Sequence, residues 1–359
     1  GGLIENIELK RYRVSTMKKV LLSILIALPL ASVQSLLVAQ DSYPRMPSGK
    51  PDFSGNYDTS SLTPMNRPEE FGDREFYTAE EVKAISDGAA DRLAYGDQPL
   101  DPDRPAPEAG ANVGAYDGFW MNFGDSASAI NGKYRTSIIT YPENGRMPGL
   151  TEEGKKKAAM RIPFEWPQEY TKGDAWWLEE PDIHPFDGPE NLSLGTRCIY
   201  TPPASLPVAS LPYNNIKKVV QTEDYLMIYI EWNHWARIVR INDETHKHVS
   251  HASYDGDSIA WWEGDTLVVE TVNIMNEAPR EVAERRIVER FSRNDDGGII
   301  YGYTVEDANY TDSYSAEVSW RLTDKEPYEF ACHEGNHAMI GILAGARRQE
   351  MEYREKNGL

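Results

Sequence analysis

The stretch between residues 216 and 322 constrains the fold more than any other part of the chain. It is a series of short runs rich in Val, Ile, Tyr and Trp, separated by turn residues at intervals of about 8–12 residues. We predict eight strands here: Ile216–Gln221, Tyr225–Trp232, Ala236–Ile241, Ser258–Trp262, Thr266–Val272, Ile287–Arg293, Ile299–Val305 and Ala316–Leu322. No helical pattern separates them, so parallel βαβ architecture, whose crossovers need about a dozen residues or more, is excluded. The pattern predicts a mainly antiparallel β fold, either a barrel or a sandwich.

Three peripheral helices are predicted outside this stretch, at Thr78–Leu93, Glu152–Met160 and Met339–Lys356. Thr78 and Thr151 are suited to capping the first two. A strand is predicted at Tyr134–Tyr141, followed by the hairpin turn signal Asn144-Gly145, and residues 164–212 have the composition of a long loop. The chain then divides into residues 1–39, a leader with a secretory signal, residues 40–115, an extended segment with one helix, and residues 116–359, a β-rich domain with a C-terminal helix.

The first 39 residues contain a secretory signal pattern. Lys18 and Lys19 precede an apolar run at Val20–Leu30, and Ala39 supplies a small residue at the cleavage position. The run is shorter than the roughly 20 residues of a bilayer-spanning helix. We therefore predict cleavage after Ala39, rather than an uncleaved membrane anchor, and a periplasmic or secreted protein with no membrane contact after cleavage.

The charge balance limits the partners of the chain. It has 37 basic and 57 acidic residues, a formal net charge of −20 at pH 7. Such a surface repels nucleic-acid phosphates, so nucleic acid is not expected as a partner. The sequence has no glycine-rich nucleotide motif, no serine-hydrolase elbow and no H-E-x-x-H zinc motif. A small-molecule ligand is the expected partner. A divalent metal is the one cofactor that the sequence neither assigns nor excludes. The sequence does not determine the oligomeric state.

The two cysteines, Cys198 and Cys332, are candidates for a disulfide. An exported chain meets oxidising conditions, which favour pairing. The sequence leaves the pairing open, because it does not show whether the two side chains meet with the required geometry.

The segment Cys332–Asn336 contains the densest set of reactive side chains. His333 can carry a proton near neutral pH, and Glu334 can orient it or act as a base. We predict these two residues as catalytic, together with His246 or Asp257. The alternative is a disulfide anchor whose polar side chains form a cap at the terminal helix.

Three histidines follow one of the predicted strands. His246 and His248 share one side of an extended segment, and His251 follows three residues later. This arrangement makes His246, His248 and His251 candidate metal ligands, with His333, Glu334 or Asp257 as a further ligand. The alternative is a solvated polar loop, since the spacing matches no standard zinc motif.

Aromatic and polar residues on the strands suggest a ligand pocket. The candidate ligand-binding residues are Trp232, Trp235, Arg237, Trp262 and Asn336. Inward-facing Trp side chains would line an apolar cavity in a barrel, whereas the alternative is ordinary core packing. The positions of Arg237 and Arg240 differ by an odd number, so their side chains should point to opposite faces of the sheet. An inward arginine would hold an anionic group, or pair with Glu231 across the strands.

Several motifs occur together in this chain. They are Pro51–Gly55 (PDFSG), Arg135-Thr136-Ser137, Trp262–Thr271 (WEGDTLVVET), Cys332–Asn336 (CHEGN) and Ile342–Arg347 (ILAGAR). The set resembles that of a large group of secreted bacterial proteins with no assigned activity, and the resemblance covers most of the chain after Ala39. It implies bacterial export and a single β-rich domain, and it implies no reaction. The strand spacing is also similar to that of lipocalin-like barrels.

Two functions follow as hypotheses. The first is an exported β-barrel-like enzyme that acts on a small, partly apolar molecule by His/Glu acid–base chemistry, as a lyase, isomerase or hydrolase. The second is a non-catalytic binding protein for a hydrophobic ligand or a glycan. The sequence does not decide whether the chain is an enzyme.

Overall fold

The computed structural model describes residues 43–99, 102–103, 105, 121–160, 175–179, 185–277 and 280–359. Its helices and strands all belong to one unit, Met46–Leu359. The predicted leader and its cleavage point lie outside the described residues, as do residues 164–174 and 180–184 of the predicted long loop.

Nine of the described strands pair into a closed barrel. Strand β1 (Gly55–Asp58) hydrogen-bonds to β5 (Ile216–Gln221) on one side and to β12 (Tyr314–Leu322) on the other. Between them follow, in chain order, β6 (Tyr225–Ile230), β7 (Trp235–Ile241), β8 (Asp257–Glu263), β9 (Thr266–Val272), β10 (Arg285–Arg293) and β11 (Ile299–Asp307). Closure satisfies the backbone groups that an open sheet would leave at its edges. The predicted mainly antiparallel β fold is confirmed, and it is a barrel.

Three short strands lie outside the ring. β4 (Ile139–Tyr141) pairs with β12, and β2 (Ala129–Ile130) pairs with β3 (Lys133–Tyr134). The predicted strand Tyr134–Tyr141 is therefore wrong as one element. It is interrupted because Thr136 N–H donates to Glu75 O and Ile138 N–H donates to Pro64 O, which ties this stretch to the N-terminal segment.

One pair of barrel strands is parallel, β7 with β8, and the other eight pairs are antiparallel. The connection, residues 242–256, is long enough to return the chain to the starting side of the sheet. Its regular structure is a single 3₁₀ turn, Val249–His251, rather than a crossover helix. The barrel is therefore mostly antiparallel, as predicted, with this one parallel pair, and the connection places His246 outside the barrel wall.

Side chains alternate between the barrel interior and its outer wall. On β10, Ile287, Glu289 and Phe291 are buried, whereas the side chains of Arg286 and Arg290 are about half exposed. A strand with one buried face requires this period of two. Each buried large apolar side chain contributes roughly 1.5–3 kcal/mol to stability.

Residues 200–211, called the covering segment below, close one side of the interior. The segment contains a four-residue helix, α3 (Pro202–Ser205). Although it pairs with no strand, its Ala204, Leu206 and Val208 belong to the barrel's core cluster. The backbone N–H of Val208 donates to the hydroxyl of Tyr301 at 3.1 Å. The interior is thus packed with protein side chains.

The longer helices are those the sequence predicts. They are α1 (Ala79–Gly96), α2 (Glu152–Met160) and α4 (Ala338–Asn357). Thr78 and Glu81 form a reciprocal capping box at α1, and the Thr151 hydroxyl accepts from Gly154 N–H at 3.0 Å. In the described part of the chain, none of the helices has the length and apolar character that a membrane span requires.

A further local prediction is wrong. The Asn144-Gly145 turn exists, but no strand follows it, so it closes no hairpin. Gly145 O instead accepts from Arg67 N–H at 2.8 Å, which ties the turn to the N-terminal segment.

Candidate functional site

The outer wall of the barrel carries a linked set of charged side chains, called the outer-wall site below. Its members are Arg240 on β7, His246 in the β7–β8 connection, Asp257 on β8, Glu270 on β9 and Arg286 on β10. All five side chains project outward, opposite to the core positions of their strands or from a loop outside the wall. Neighbouring strands therefore bring together residues that are far apart in sequence.

His246 lies between two carboxylates. Its Nδ1 is 3.0 Å from Asp257 Oδ2 and its Nε2 is 3.1 Å from Glu270 Oε1. The ring is 19% exposed. Both hydrogen bonds form together when both ring nitrogens carry protons, whereas the neutral ring donates through one nitrogen and presents a lone pair at the other. The sequence prediction grouped His246 with Asp257, and the structure brings these two side chains into contact.

Asp257 is held in its charged form. Arg240 donates to both carboxylate oxygens, at 2.6 and 3.2 Å, and Lys247 N–H donates at 2.9 Å. Burial raises the pKa of Asp257, but the hydrogen bonds from Arg240, Lys247 N–H and His246 outweigh it and hold the pKa well below its ordinary value. A fixed carboxylate of this kind orients an imidazole.

Glu270 links the histidine to an arginine. Arg286 Nε donates to Glu270 Oε2 at 2.6 Å, while the other oxygen faces His246. Burial raises the pKa of Glu270, but the hydrogen bonds from His246 and Arg286 outweigh this effect, so the pKa lies below its ordinary value. Arg286 also reaches Glu306 at 3.2 Å.

A shallow, open groove of about 430 Å³ lies beside the outer-wall site. It is lined by Val272, Asn273, Val282, Ala283, Glu284, Arg285, Arg286, Glu306, Asp307 and Ala308. Val272 is the cross-strand partner of Asp257, and Arg286 bonds to Glu270. The groove has the size of a small-molecule site, and its floor combines apolar side chains with charged ones.

His333 and Glu334 lie apart from this set. Both are exposed, and His333 Nδ1 is 3.4 Å from Arg197 O, a loop carbonyl. The neighbouring Asn336 donates to Thr196 O at 2.8 Å. The segment thus docks on residues 196–198, and the structure does not bring it to His246. The catalytic role of His333 and Glu334 stays a prediction.

The disulfide between Cys198 and Cys332, which the sequence left open, is present and fastens the same segment. The two cysteines are separated by 134 residues in sequence. The bond holds the strand-to-helix connection before α4 against the residues that lead into the covering segment.

The three histidines proposed as metal ligands do not converge. His248 and His251 are exposed, and His248 Nδ1 accepts from Ser250 N–H at 3.2 Å. Among the residues that the structure describes, no group of three or more His, Cys, Asp or Glu side chains is placed to hold a metal ion. Asp257 and His246 contact each other instead, and Asp257 also accepts from Arg240.

The three tryptophans proposed for ligand binding make contacts within the protein. Trp232 stacks on Tyr213 at 4.5 Å and on Phe330 at 5.0 Å between ring centroids. Trp262 stacks on Phe53 at 6.0 Å. Such ring pairs are the packing alternative that the sequence left open.

Trp235 and Arg237 border the barrel interior and also have internal partners. Trp235 donates to Asp255, which also accepts from Tyr200 at 2.5 Å. Arg237 faces inward and Arg240 outward, as the odd spacing predicts. The interior partner of Arg237 is Glu289, not Glu231.

The sequence reasoning missed Glu270 and Arg286. Glu270 stands in the Trp262–Thr271 motif, which is explained by its turn at Gly264 and its alternating strand. Its outward position was predictable from that alternation. The contact of Glu270 with His246 was not predictable, because this contact depends on the parallel pairing of β7 and β8 and on the connection between them. No protein-family model matches the chain, and no curated protein matches it.

Proposed function

We propose that this protein is an exported enzyme that moves a proton on a small, partly apolar carbonyl compound bound in the outer-wall groove, as an isomerase or lyase. One observation carries the proposal: an imidazole oriented by a buried, arginine-held carboxylate lies next to a second carboxylate, whose partner Arg286 lines a groove. Asp257, His246 and Glu270 are those three groups.

Each residue has a distinct role in this chemistry. Asp257 holds His246 through Nδ1–H, so that Nε2 presents its lone pair on the side of Glu270. When Glu270 turns toward Arg286, which already binds its other oxygen, Nε2 is free to take a proton from a carbon next to a carbonyl group. Arg286, 41% exposed at the groove, stabilises the negative charge that develops on the carbonyl oxygen. The imidazolium of His246 then returns the proton to the substrate.

Export of the protein is supported by two features. The Lys18-Lys19 and Val20–Leu30 pattern has the order of a secretory signal. The Cys198–Cys332 disulfide is the type of bond that persists in oxidising compartments.

The test is proton exchange rather than turnover of one guessed substrate. A panel of small ketones, keto esters and keto acids is incubated with the protein in D₂O, and deuterium uptake next to the carbonyl is followed by NMR. We expect catalysed exchange with at least one class of compound, and a loss of roughly 10²- to 10⁴-fold in His246→Ala. His248→Ala is the matched control, because this histidine is exposed in the same loop and contacts Ser250.

Two results contradict the proposal. One is a wild-type protein that accelerates exchange for no compound in the panel. The other is exchange that His246→Ala and Asp257→Asn leave at the wild-type rate.

A further inference from the structure

Lys217 is a fully buried lysine inside the barrel, with 0% exposure. It shares the inward face of β5 with Val219, and its Cα pairs with Tyr57 on β1 and Ile230 on β6. Its aliphatic stem therefore lies against the apolar core. Its Nζ has no hydrogen-bond partner among the described residues.

The carboxylates near this ammonium are engaged elsewhere. Glu231 accepts backbone N–H groups from Ile216 at 3.1 Å and Tyr328 at 2.9 Å. Asp58 accepts from Ser60 N–H at 2.9 Å. Burial lowers the pKa of Lys217 to about 8, although the charges of Glu231 and Asp58 act in the opposite direction. A cation in this setting is costly and sheds its proton readily.

Two other inward-facing donors share the lack of a partner. They are Arg237 Nε and Trp320 Nε1. Trp320 lies on β12 and contacts the ring of Tyr57, the neighbour of Lys217, at 6.4 Å between centroids. In the described part of the chain, no buried side-chain oxygen lacks a partner. The interior is therefore short of acceptors and not of donors, and a carbonyl or other oxygen-bearing group would match it.

We propose that Lys217 is a carbonyl-reactive amine, and that the barrel interior beneath residues 200–211 takes up a small apolar aldehyde or ketone as an imine on its Nζ. The nitrogen lone pair attacks the carbonyl carbon to form the C–N bond. The two protons of the neutral amine leave with the carbonyl oxygen as water, and the C=N bond remains. A desolvated lysine among apolar side chains is the activated form of this nucleophile. The packed wall keeps out the water that would hydrolyse the imine.

The covering segment is the route of entry. It pairs with no strand, and it is held by the packing of Ala204, Leu206 and Val208 in the core and by hydrogen bonds such as those of Ser205 Oγ to Asp255 at 2.6 Å and of Val208 N–H to Tyr301. Segments held in this way open at lower free energy than paired strands. Opening it uncovers the interior without breaking the barrel.

The experiment is reductive trapping. The folded protein is incubated near neutral pH with butanal and cyanoborohydride, and the butylated lysines are located by peptide mass spectrometry. Lys218 is the matched internal control, since it is the next residue, faces outward and pairs with Glu326 at 2.8 Å. We expect Lys217 to be butylated about tenfold or more over Lys218, because its depressed pKa supplies neutral amine. Lys217→Met removes this label, and Lys218→Met retains it.

A second variant tests the entry route. Ser205→Ala deletes one contact of the covering segment and should raise the rate of trapping at Lys217 by a few-fold while leaving Lys218 unchanged. His246→Ala should leave trapping intact, so the result is independent of the outer-wall chemistry. Butylation of Lys218 and other exposed lysines without Lys217, or butylation of Lys217 only in denaturant, overturns the proposal.

Discussion

Arg237 on β7 and Glu289 on β10 form an ion pair inside the barrel, although two strands separate them in the sheet. Their side chains are 2% and 0% exposed. Glu289 also accepts the Tyr301 hydroxyl at 2.7 Å, and Arg237 donates to Thr271 at 3.0 Å. The Coulomb attraction thus acts together with hydrogen bonds that satisfy the carboxylate.

Removal of one charge should leave the other buried without its counter-ion. We expect Glu289→Gln to lower the free energy of unfolding by about 3–5 kcal/mol, because it leaves a buried guanidinium without its counter-ion. Urea denaturation followed by tryptophan fluorescence measures the change. The matched control is Glu263→Gln, which breaks the exposed pair with Arg290 and should have little effect. Equal effects of the two variants would contradict this account of the interior.

Lys217 should make the protein less stable at neutral pH than it is in mild alkali. Its pKa is about 8 in the folded chain against 10.5 for the unperturbed group, so the unfolded chain binds more protons between these values. Stability then rises with pH through this window, by at most about 3 kcal/mol. Urea denaturation at a series of pH values from 7 to about 9.5 shows the slope.

Lys217→Met isolates this contribution from those of the buried tyrosines. We expect the variant to be more stable than the wild type at pH 7, because it removes a desolvated ammonium while keeping the apolar stem. The difference should shrink as the pH rises. Lys218→Met, on the outer face, should show neither effect. A variant less stable than the wild type at pH 7 would mean that Nζ has a strong partner in solution.

The disulfide should stabilise the whole domain through the loop that it closes. At a sequence separation of 134 between Cys198 and Cys332, the chain-entropy model assigns it roughly 4–5 kcal/mol. We expect the double variant Cys198→Ser/Cys332→Ser to melt at a lower temperature and to be insensitive to reductant. The wild type should lose stability on addition of reductant. Calorimetry with and without reductant checks both, and a reduced wild type that melts like the oxidised one would exclude a contribution of the bond.

The antiparallel strands of the barrel were predictable because their signals are local, whereas their closure into a barrel rather than a sandwich was left open. Strands such as Ile216–Gln221 and Thr266–Val272 have the bounds that the sequence predicts, since turn residues and β-branched runs fix them without reference to the rest of the chain. The capping of α1 by Thr78 is local for the same reason. The split of Tyr134–Tyr141 was not predictable, because it depends on hydrogen bonds to residues 64 and 75.

The candidate site was predictable only in part. His246 and Asp257 are close in sequence and could be grouped, whereas Glu270 and Arg286 reach them through strand register. The dense segment at His333 gave a stronger sequence signal than the outer-wall site. Polar clusters also form anchors and caps, however, and sequence cannot separate the two uses. A buried lysine such as Lys217 gives no sequence signal either, because strand alternation places residues on a face without showing what they meet.

Gly154 should be required for the docking of helix α2 on the barrel. A Cβ at this position would lie 2.1 Å from the carbonyl oxygen of Asn309, a backbone atom that cannot turn aside. The same carbonyl accepts from Thr151 N–H at 2.9 Å, which fixes the start of the helix against it. We expect Gly154→Ala to destabilise the protein by about 1–3 kcal/mol, since relief of the overlap must move the helix.

Gly88→Ala is the matched control. Gly88 lies in the interior of α1 with nothing within 4 Å of an added Cβ, so the better helix propensity of alanine should stabilise the protein by up to about 1 kcal/mol. Chemical denaturation measures the change in the free energy of unfolding of each variant. The two changes should have opposite signs if α2 contacts Asn309 in solution, whereas stabilisation of both variants would show that it does not.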